Sequence, residues 1–446
     1  LDFPKKIERI LTDYLKINQW DLKSIVIPIN IPLKKICVNN FRNINEKILY
    51  WEKPNSDFSF IAISSLTLIS SSKYNASNTL HNWQEFSDFP IPLVLKTKKF
   101  PIKKIGEIWN NFDEADYIPY LIILQSKSRS YLIANFFNIS DYEKIIDLFD
   151  LISIDKNESD NLFLEETEIE KADVTKEDDF NNWEDNINEY LNHIRNDEVK
   201  KVVLSKYIHR KIVNYDIDKI TSLLSKKYKD CYIFVLFEGD SIFFGASPEK
   251  LFSLKGKLLE TEALAGSIAR GSNKLLDEKL ASELLKDNKN LAEHKNVVDY
   301  ITENLAGYVD TIEIDIIPKI KKLNNIQHLW TPIKALVKDS VSVDDLINQL
   351  YPTSAICGYP KKEAIKIISD TEKYERGLYS GLIGWYNHMA QADFCVAIRS
   401  GLLKDNSLYA FAGCGIVRGS DAKSEYHETK LKLKPILSLF NYENSN

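Results

Sequence analysis

The chain has 446 residues, 44% of them hydrophobic, and a formal net charge of -6 at pH 7. That length supports a sizeable core in one large domain or in two to three ordinary ones. The acidic balance excludes nucleic acid or an anionic membrane surface as the main partner, so an anionic ligand has to be met by locally placed cations.

The first stretch, LDFPKKIERILTDYLKINQW, has an amphipathic helical pattern, and no apolar run in the chain reaches transmembrane length. Cys37, Cys231, Cys357, Cys395 and Cys414 are widely separated, with no CxxC and no zinc spacing. Reduced thiols in a cytoplasmic protein are the expectation. Residues 58–69, 118–124 and 130–137 are rich in Ile, Phe, Tyr and Ser between turn signals, as strands are. Residues 155–179 carry eleven acids against three bases and read as a solvated linker between a strand-rich part, 1–154, and the remainder, 180–446.

Past the linker, Trp183, Ile187, Leu191 and Ile194 recur at helical spacing, and the helix ends near Asn196 and Asp197 before the β-branched run KKVVLSKYI. Strands follow at 232–237, 241–245 and 250–254, then a turn at Gly266 and a helical region over 273–305. Further strands at 382–386, 394–402 and 407–412 lead into AGCGIVRGSDAKSEYHETKLKLK, residues 412–434. Serial hairpins with intervening helices favour an antiparallel α+β fold over a doubly wound parallel sheet.

Residues 412–434 join a glycine-rich turn to two carboxylates three apart. Gly413 and Gly415 let the backbone approach a ligand, and on a helix Glu425 and Glu428 share one face within reach of a common metal ion. Of Lys430, Lys432 and Lys434, at most one or two can face the same site. The alternative is a loop entering a surface helix with solvated charges.

Lys201 opens the apolar run KVVLSK. Such a lysine serves as a base only where desolvation or nearby positive charge lowers its pKa; otherwise it snorkels at a strand end. Glu249, after Pro248, is a proton donor if burial raises its pKa and a solvated turn residue if not. In KNLAEHKNVVDYI, Glu293 could add a third carboxylate to Glu425 and Glu428, a set that suits Mg²⁺. His294 and His328 read as hydrogen-bonded core histidines rather than metal ligands. Arg399, among the apolar strand residues of FCVAIRSGLL, is the best candidate for gripping a carboxylate with two parallel hydrogen bonds.

The ordered set KVVLSK, GASPEKL, TEALAGSIARG, KNLAEH, IQHLWTPI, YPTSAICGYP, ERGLYSGLIGW, VAIRSGLL and AGCGIVRGSDAKSEYHETKLK resembles the chorismate-utilising enzymes, with the isochorismate synthases as the most similar branch. The resemblance covers about residues 185–440. It implies a single α+β fold of two packed, mostly antiparallel sheets with helices outside. It implies that Lys201 is the base that activates water for attack at C2 of chorismate, and that Glu249 is the acid that protonates the departing C4 hydroxyl from the other side of the ring. It further implies that Glu293 and Glu428 hold Mg²⁺ with Glu425, directly or through water. Lys432 would reach the ring carboxylate, Tyr379, Arg399, Gly413 and Gly415 would surround the enolpyruvyl carboxylate, and Ser267 and His328 would line the ring.

Within the family, anthranilate synthase component I has glutamine where this chain has Lys201, and aminodeoxychorismate synthase has a lysine in a PIKGT segment where this chain reads ALAGS. Both are disfavoured, and no obligate glutaminase subunit is implied. Salicylate synthase, which goes on to eliminate pyruvate, is the alternative activity, and an inactive chorismate-binding module is the alternative of another class. Cys414, Tyr426, Lys206, Tyr351 and Asn290 depart from frequent family residues without removing a proposed catalytic group. The motifs do not choose between menaquinone and siderophore biosynthesis.

Overall fold

The computed structural model of the protein describes residues 23–29, 31–36, 38, 46–56, 58–64, 67–68, 94–102, 108–136, 140–150, 180–323 and 326–440. The amino-terminal helical pattern, the acidic linker and Cys37 lie outside these residues. In chain order the first part forms β1 (Lys23–Ile29), β2 (Ile48–Lys53), β3 (Phe58–Ile63), β4 (Thr67–Leu68), β5 (Val94–Lys98), β6 (Ala115–Ile118), β7 (Leu121–Ser126), β8 (Arg129–Phe136) and helix α1 (Ser140–Asp150). There follow α2 (Phe180–Arg195), β9 (Lys201–Lys211), α3 (Ile217–Lys227), β10 (Tyr232–Glu238), β11 (Ser241–Ser247), β12 (Lys250–Lys255), β13 (Leu258–Ala269), α4 (Lys274–Leu284) and α5 (Asn288–Leu305). The last third forms β14 (Val309–Ile314), β15 (Lys319–Lys322), β16 (Ile326–Val337), α6 (Val343–Leu350), β17 (Gly358–Tyr359), α7 (Lys361–Thr371), β18 (Leu382–Tyr386), β19 (Gln391–Val396), β20 (Ser400–Lys404), β21 (Ser407–Val417) and α8 (Ala422–Leu437).

Two sheets organise these elements. The larger has eleven strands in the order β1-β8-β7-β3-β2-β10-β11-β20-β21-β9-β17, and the smaller has ten, β14-β16-β13-β12-β19-β18-β5-β6-β4 with β15 beside β16. The pairings in both are antiparallel. The α+β architecture expected from the sequence is the one observed. Between the sheets, Trp51 and Phe60 of the larger meet Tyr117, Ile383, Trp385 and Cys395 of the smaller. On the larger sheet's other face, Ile208 and Phe244 pack with Ile217 and Ile220 of α3 and with Leu433 and Ile436 of α8. β10 and β11 are thus covered on both faces, which is why YIFVLFE and SIFFGAS read as continuous apolar runs rather than alternating ones. α2 buries the stripe Trp183, Ile187, Leu191 and Ile194 read from the sequence, together with Tyr190.

Local chemistry corrects several sequence boundaries. The run 118–124 is two strands, parted at Pro119, which has no N–H to give a ladder. The run 58–69 breaks after Ile63, where Ser64 takes φ 64°. The helical region 273–305 is two helices, because the Asp287 side chain accepts the Asn290 N–H at 2.7 Å and caps a new start. Gly266 is a bulge inside β13 rather than a turn, with φ 76° that favours glycine, and it sets Ser267 opposite His328 on β16. The run 394–402 is also two strands, and Arg399 lies in the turn between them with φ 51°, outside the strand the sequence suggested. Gly413 and Gly415, expected in a turn, continue β21 instead, and neither takes a positive φ.

Candidate active site

One cleft is lined by Lys201, Glu249, Ser267, Glu293, His328, Tyr379, Arg399, Gly413, Gly415, Glu428 and Lys432. Residues up to 231 positions apart in the chain therefore share one wall space, from Lys201 to Lys432. Glu425 is not on the lining; it lies behind, 3% exposed, one helical turn before Glu428. Apolar contacts from Leu264, Ile356 and Ile398 complete the walls.

Lys201 is the first residue of β9, paired with Val417 of β21 on one side and Tyr359 of β17 on the other. Its side chain is 1% exposed, and Nζ donates to Glu293 Oε1 at 2.8 Å. The snorkelling alternative does not hold. Burial alone would raise the Glu293 carboxyl, but the Lys201 ammonium, helped by Lys432 and Lys289, outweighs it and brings the net shift down. Gly415 makes this pair possible: a Cβ there would lie 2.5 Å from Lys201 Cε and 2.7 Å from Glu293 Oε1. At Gly413 a Cβ would lie 3.1 Å from the Tyr379 hydroxyl. Both glycines clear space for neighbours within a regular strand.

Glu249 sits between β11 and β12, 6% exposed, and its buried position, not a solvated turn, governs its chemistry. Burial pushes its carboxyl up to about 7, while a hydrogen bond from Thr353 and the charges of Lys201 and Arg399 hold it back. It can carry a proton near neutral pH and give it up. Arg399, 8% exposed, has no carboxylate ion-paired to it among the described residues. A buried cation without a partner is costly, and an arriving carboxylate would relieve that cost. Burial, with Arg399 and Lys432 nearby, pushes the His328 imidazole well down. Its Nδ1 meets Ser267 Oγ at 2.8 Å, and its buried Nε2 has no hydrogen-bond partner. His294, by contrast, is the core histidine expected: Nδ1 meets the Ala265 carbonyl at 3.2 Å and Nε2 meets Thr331 Oγ1 at 2.8 Å.

The phase of α8 is set by Asp421, whose side chain accepts the Ser424 N–H at 2.9 Å. Glu428 and Lys432 then fall four apart on the face toward the cleft. Lys432 Nζ donates to Glu428 Oε1 at 2.6 Å and to the Gly413 carbonyl at 2.9 Å. Lys289 of α5 donates to Glu425 Oε1 at 2.6 Å. Burial first, then repulsion from Glu428, raises the Glu425 carboxyl, with Lys289 opposing. Each of the three carboxylates is therefore matched to one lysine. As a donor set, carboxylate oxygens from two neighbouring helices suit a hard divalent cation. Among the described residues, however, no three His, Cys, Asp or Glu side chains are gathered closely enough to form a ready metal cluster. In this structure each of these carboxylates is instead ion-paired: Glu293 with Lys201, Glu425 with Lys289 and Glu428 with Lys432.

Two contributors escaped the sequence reading. Lys289 precedes Glu293 by four residues, a spacing that places both on one helical face and could have flagged it. Thr353 carried no local signal, because its contact with Glu249 spans 104 positions.

The chorismate binding enzyme family matches residues 9–441. Isochorismate synthase MenF of Bacillus subtilis is 30% identical over 434 residues, covering 92% of this chain and 89% of that protein. The salicylate biosynthesis isochorismate synthase of Pseudomonas aeruginosa is 36% identical over 251 residues, 56% of this chain and 53% of its own length. The solved structure of MenF, the menaquinone-specific isochorismate synthase of Escherichia coli, shares the fold, with TM-score 0.80 at 23% identity over 99% of this chain and 100% of that one. With a family match over nearly the whole chain and a full-length relative, this protein belongs to the chorismate binding enzymes.

Proposed function

We propose that this protein is an isochorismate synthase, which converts chorismate to isochorismate. The observation that carries the reading is a buried lysine and a carboxyl poised near pH 7 lining one cleft, beside an arginine that lacks a carboxylate partner. The full-length relative in Bacillus subtilis bears that activity in its name.

Chorismate is a dianion, and the cleft offers Arg399 with Tyr379 for the enolpyruvyl carboxylate and Lys432 for the ring carboxylate. Lys201, as the neutral amine rather than the ammonium paired with Glu293, takes a proton from water as its oxygen bonds to C2. The ring double bonds shift, the C4–O bond breaks, and Glu249 gives its proton to the departing hydroxyl. One water is added and one is released, so the product is an isomer. Ser267 and His328 line the ring, with His328 Nε2 as the unpartnered polar atom. Glu293 and Glu428, with Glu425 behind them, would hold Mg²⁺, which when bound supplies positive charge and Lewis acidity at the ring carboxylate. Water as nucleophile requires no glutaminase subunit. No helix among the described residues is long and apolar enough to cross a membrane, and Cys231, Cys357, Cys395 and Cys414 are free and buried, as reduced thiols of a cytoplasmic protein would be; the menaquinone or siderophore pathway is the reading that the relatives' and neighbours' names support.

The test is product analysis with purified protein, Mg²⁺ and chorismate. Isochorismate alone is expected. Salicylate with stoichiometric pyruvate would replace this reading with salicylate synthase, and tight binding without turnover would leave a binding module. Lys201→Ala is expected to lose turnover while still binding chorismate.

A further inference from the structure

We propose that Thr353 is a positioning residue for the proton donor: it fixes which oxygen of the Glu249 carboxyl carries the proton. The proposal rests on the isochorismate synthase reading of the same cleft. Thr353 follows α6 and is 7% exposed, and its Oγ1 donates to Glu249 Oε1 at 2.8 Å. The segment that carries it is anchored. The Tyr300 hydroxyl donates to the Pro352 carbonyl at 2.8 Å, and the Ile356 and Cys357 N–H groups both donate to the Thr353 carbonyl, at 3.2 and 3.0 Å.

Glu249 is held as firmly from the other side. Its N–H donates to Ser247 Oγ at 3.2 Å, its carbonyl accepts the Val396 N–H at 3.1 Å, and Ser247 Oγ donates to the Val396 carbonyl at 2.5 Å. The backbone is thus pinned to the end of β19 and one carboxyl oxygen is pinned to Thr353. Oε2 is the oxygen left for the cleft.

A threonine hydroxyl has one proton to donate. Glu249 Oε1 is the acceptor that the structure gives it, so reversing the bond would leave that proton without a partner inside the protein. Oε1 therefore accepts in both protonation states. When the acid is neutral, its proton resides on Oε2, the atom free to meet a departing hydroxyl. Without Thr353 the proton could settle on either oxygen, and the productive arrangement would be one of two. The charged groups whose fields reach Glu249 are Lys201 of β9, Arg399 of the β19–β20 turn and Glu262 of β13, and the Cys395 thiol of β19 is also within range. These stay in place when the threonine hydroxyl is removed.

The experiment compares Thr353→Val, which keeps the shape and loses the hydroxyl, with Thr353→Ser, which keeps the hydroxyl. For Thr353→Val we expect kcat to fall on the order of tenfold, with KM little changed, as for an interaction used mainly in the transition state. The alkaline limb of the kcat profile should move to higher pH, because the hydroxyl no longer stabilises the carboxylate. Thr353→Ser should restore both. An active wild type whose Thr353→Val variant keeps the wild-type alkaline limb overturns the proposal alone, as does equal impairment of the two variants. A wild type inert toward chorismate overturns the functional reading and this proposal with it.

Discussion

Replacing Arg399 by methionine separates ligand recognition from folding. The guanidinium is 8% exposed and lacks an ion-pair partner among the described residues, so in the free protein its burial is a net cost. Arg376 is the internal contrast: 1% exposed, it donates to both Glu372 oxygens, at 2.5 and 2.7 Å, and to the Ile356 and Val203 carbonyls. Arg376→Met should destabilise by about 3–5 kcal/mol, the effect of leaving a buried carboxylate alone. Arg399→Met should leave stability unchanged or raise it by about 1 kcal/mol, because no partner is abandoned. The positive φ at this position strains arginine and methionine alike, since both carry a Cβ. Ligand binding should move the other way. Two charge-assisted hydrogen bonds to a carboxylate contribute about 1.5–3 kcal/mol each, so chorismate affinity should fall roughly 10²- to 10⁴-fold. Calorimetric titration in a Glu249→Gln background prevents turnover, and thermal unfolding without ligand reads stability. A variant that melts several degrees lower, or one that binds chorismate as its parent does, would refute the reasoning.

Glu249→Gln tests the raised carboxyl through stability. The folded value of about 7 lies above the ordinary one, so the stabilisation from the neutral acid is full below about pH 4 and is lost as pH rises through 7. The variant should gain on the wild type by about 2.5 kcal/mol between pH 5 and pH 8 in denaturant unfolding, and a difference independent of pH would dismiss the assignment. Gly415→Ala places a methyl 2.5 Å from Lys201 Cε; overpacking of about 1–3 kcal/mol and a displaced base should cut kcat on the order of 10²-fold, and near-normal rates would show that the pair tolerates movement. Glu428→Gln removes one of the carboxylates offered to the metal, and Mg²⁺ titration by calorimetry should weaken on the order of tenfold; an unaltered isotherm would rule Glu428 out as a ligand.

The site was legible where a residue contradicts its own surroundings. Lys201 in KVVLSK is a charge among apolar strand residues, Arg399 in FCVAIRSGLL is a charge between two apolar strands, and Glu425 and Glu428 are a spacing that any helix would turn to one side. What remained hidden depends on contacts far apart in sequence. Lys289 answers a carboxylate 136 positions away on another helix, and the room Gly415 leaves for Lys201 is created by strand pairing between β21 and β9. The strand identities were readable from composition and turn signals, but their order was not, because nothing local in YIFVLFE announces that β2 will be its neighbour.

That neighbour has a mechanical meaning. The hairpin of β10 and β11 ends at Ser247, two residues before Glu249, and it is clamped between β2 and β20. The described residues among the first 150 lend no side chain to the cleft lining, yet they supply the backing plate against which Glu249 is held. Cut away, they would leave β10 as a long bare edge, open to pairing with another chain.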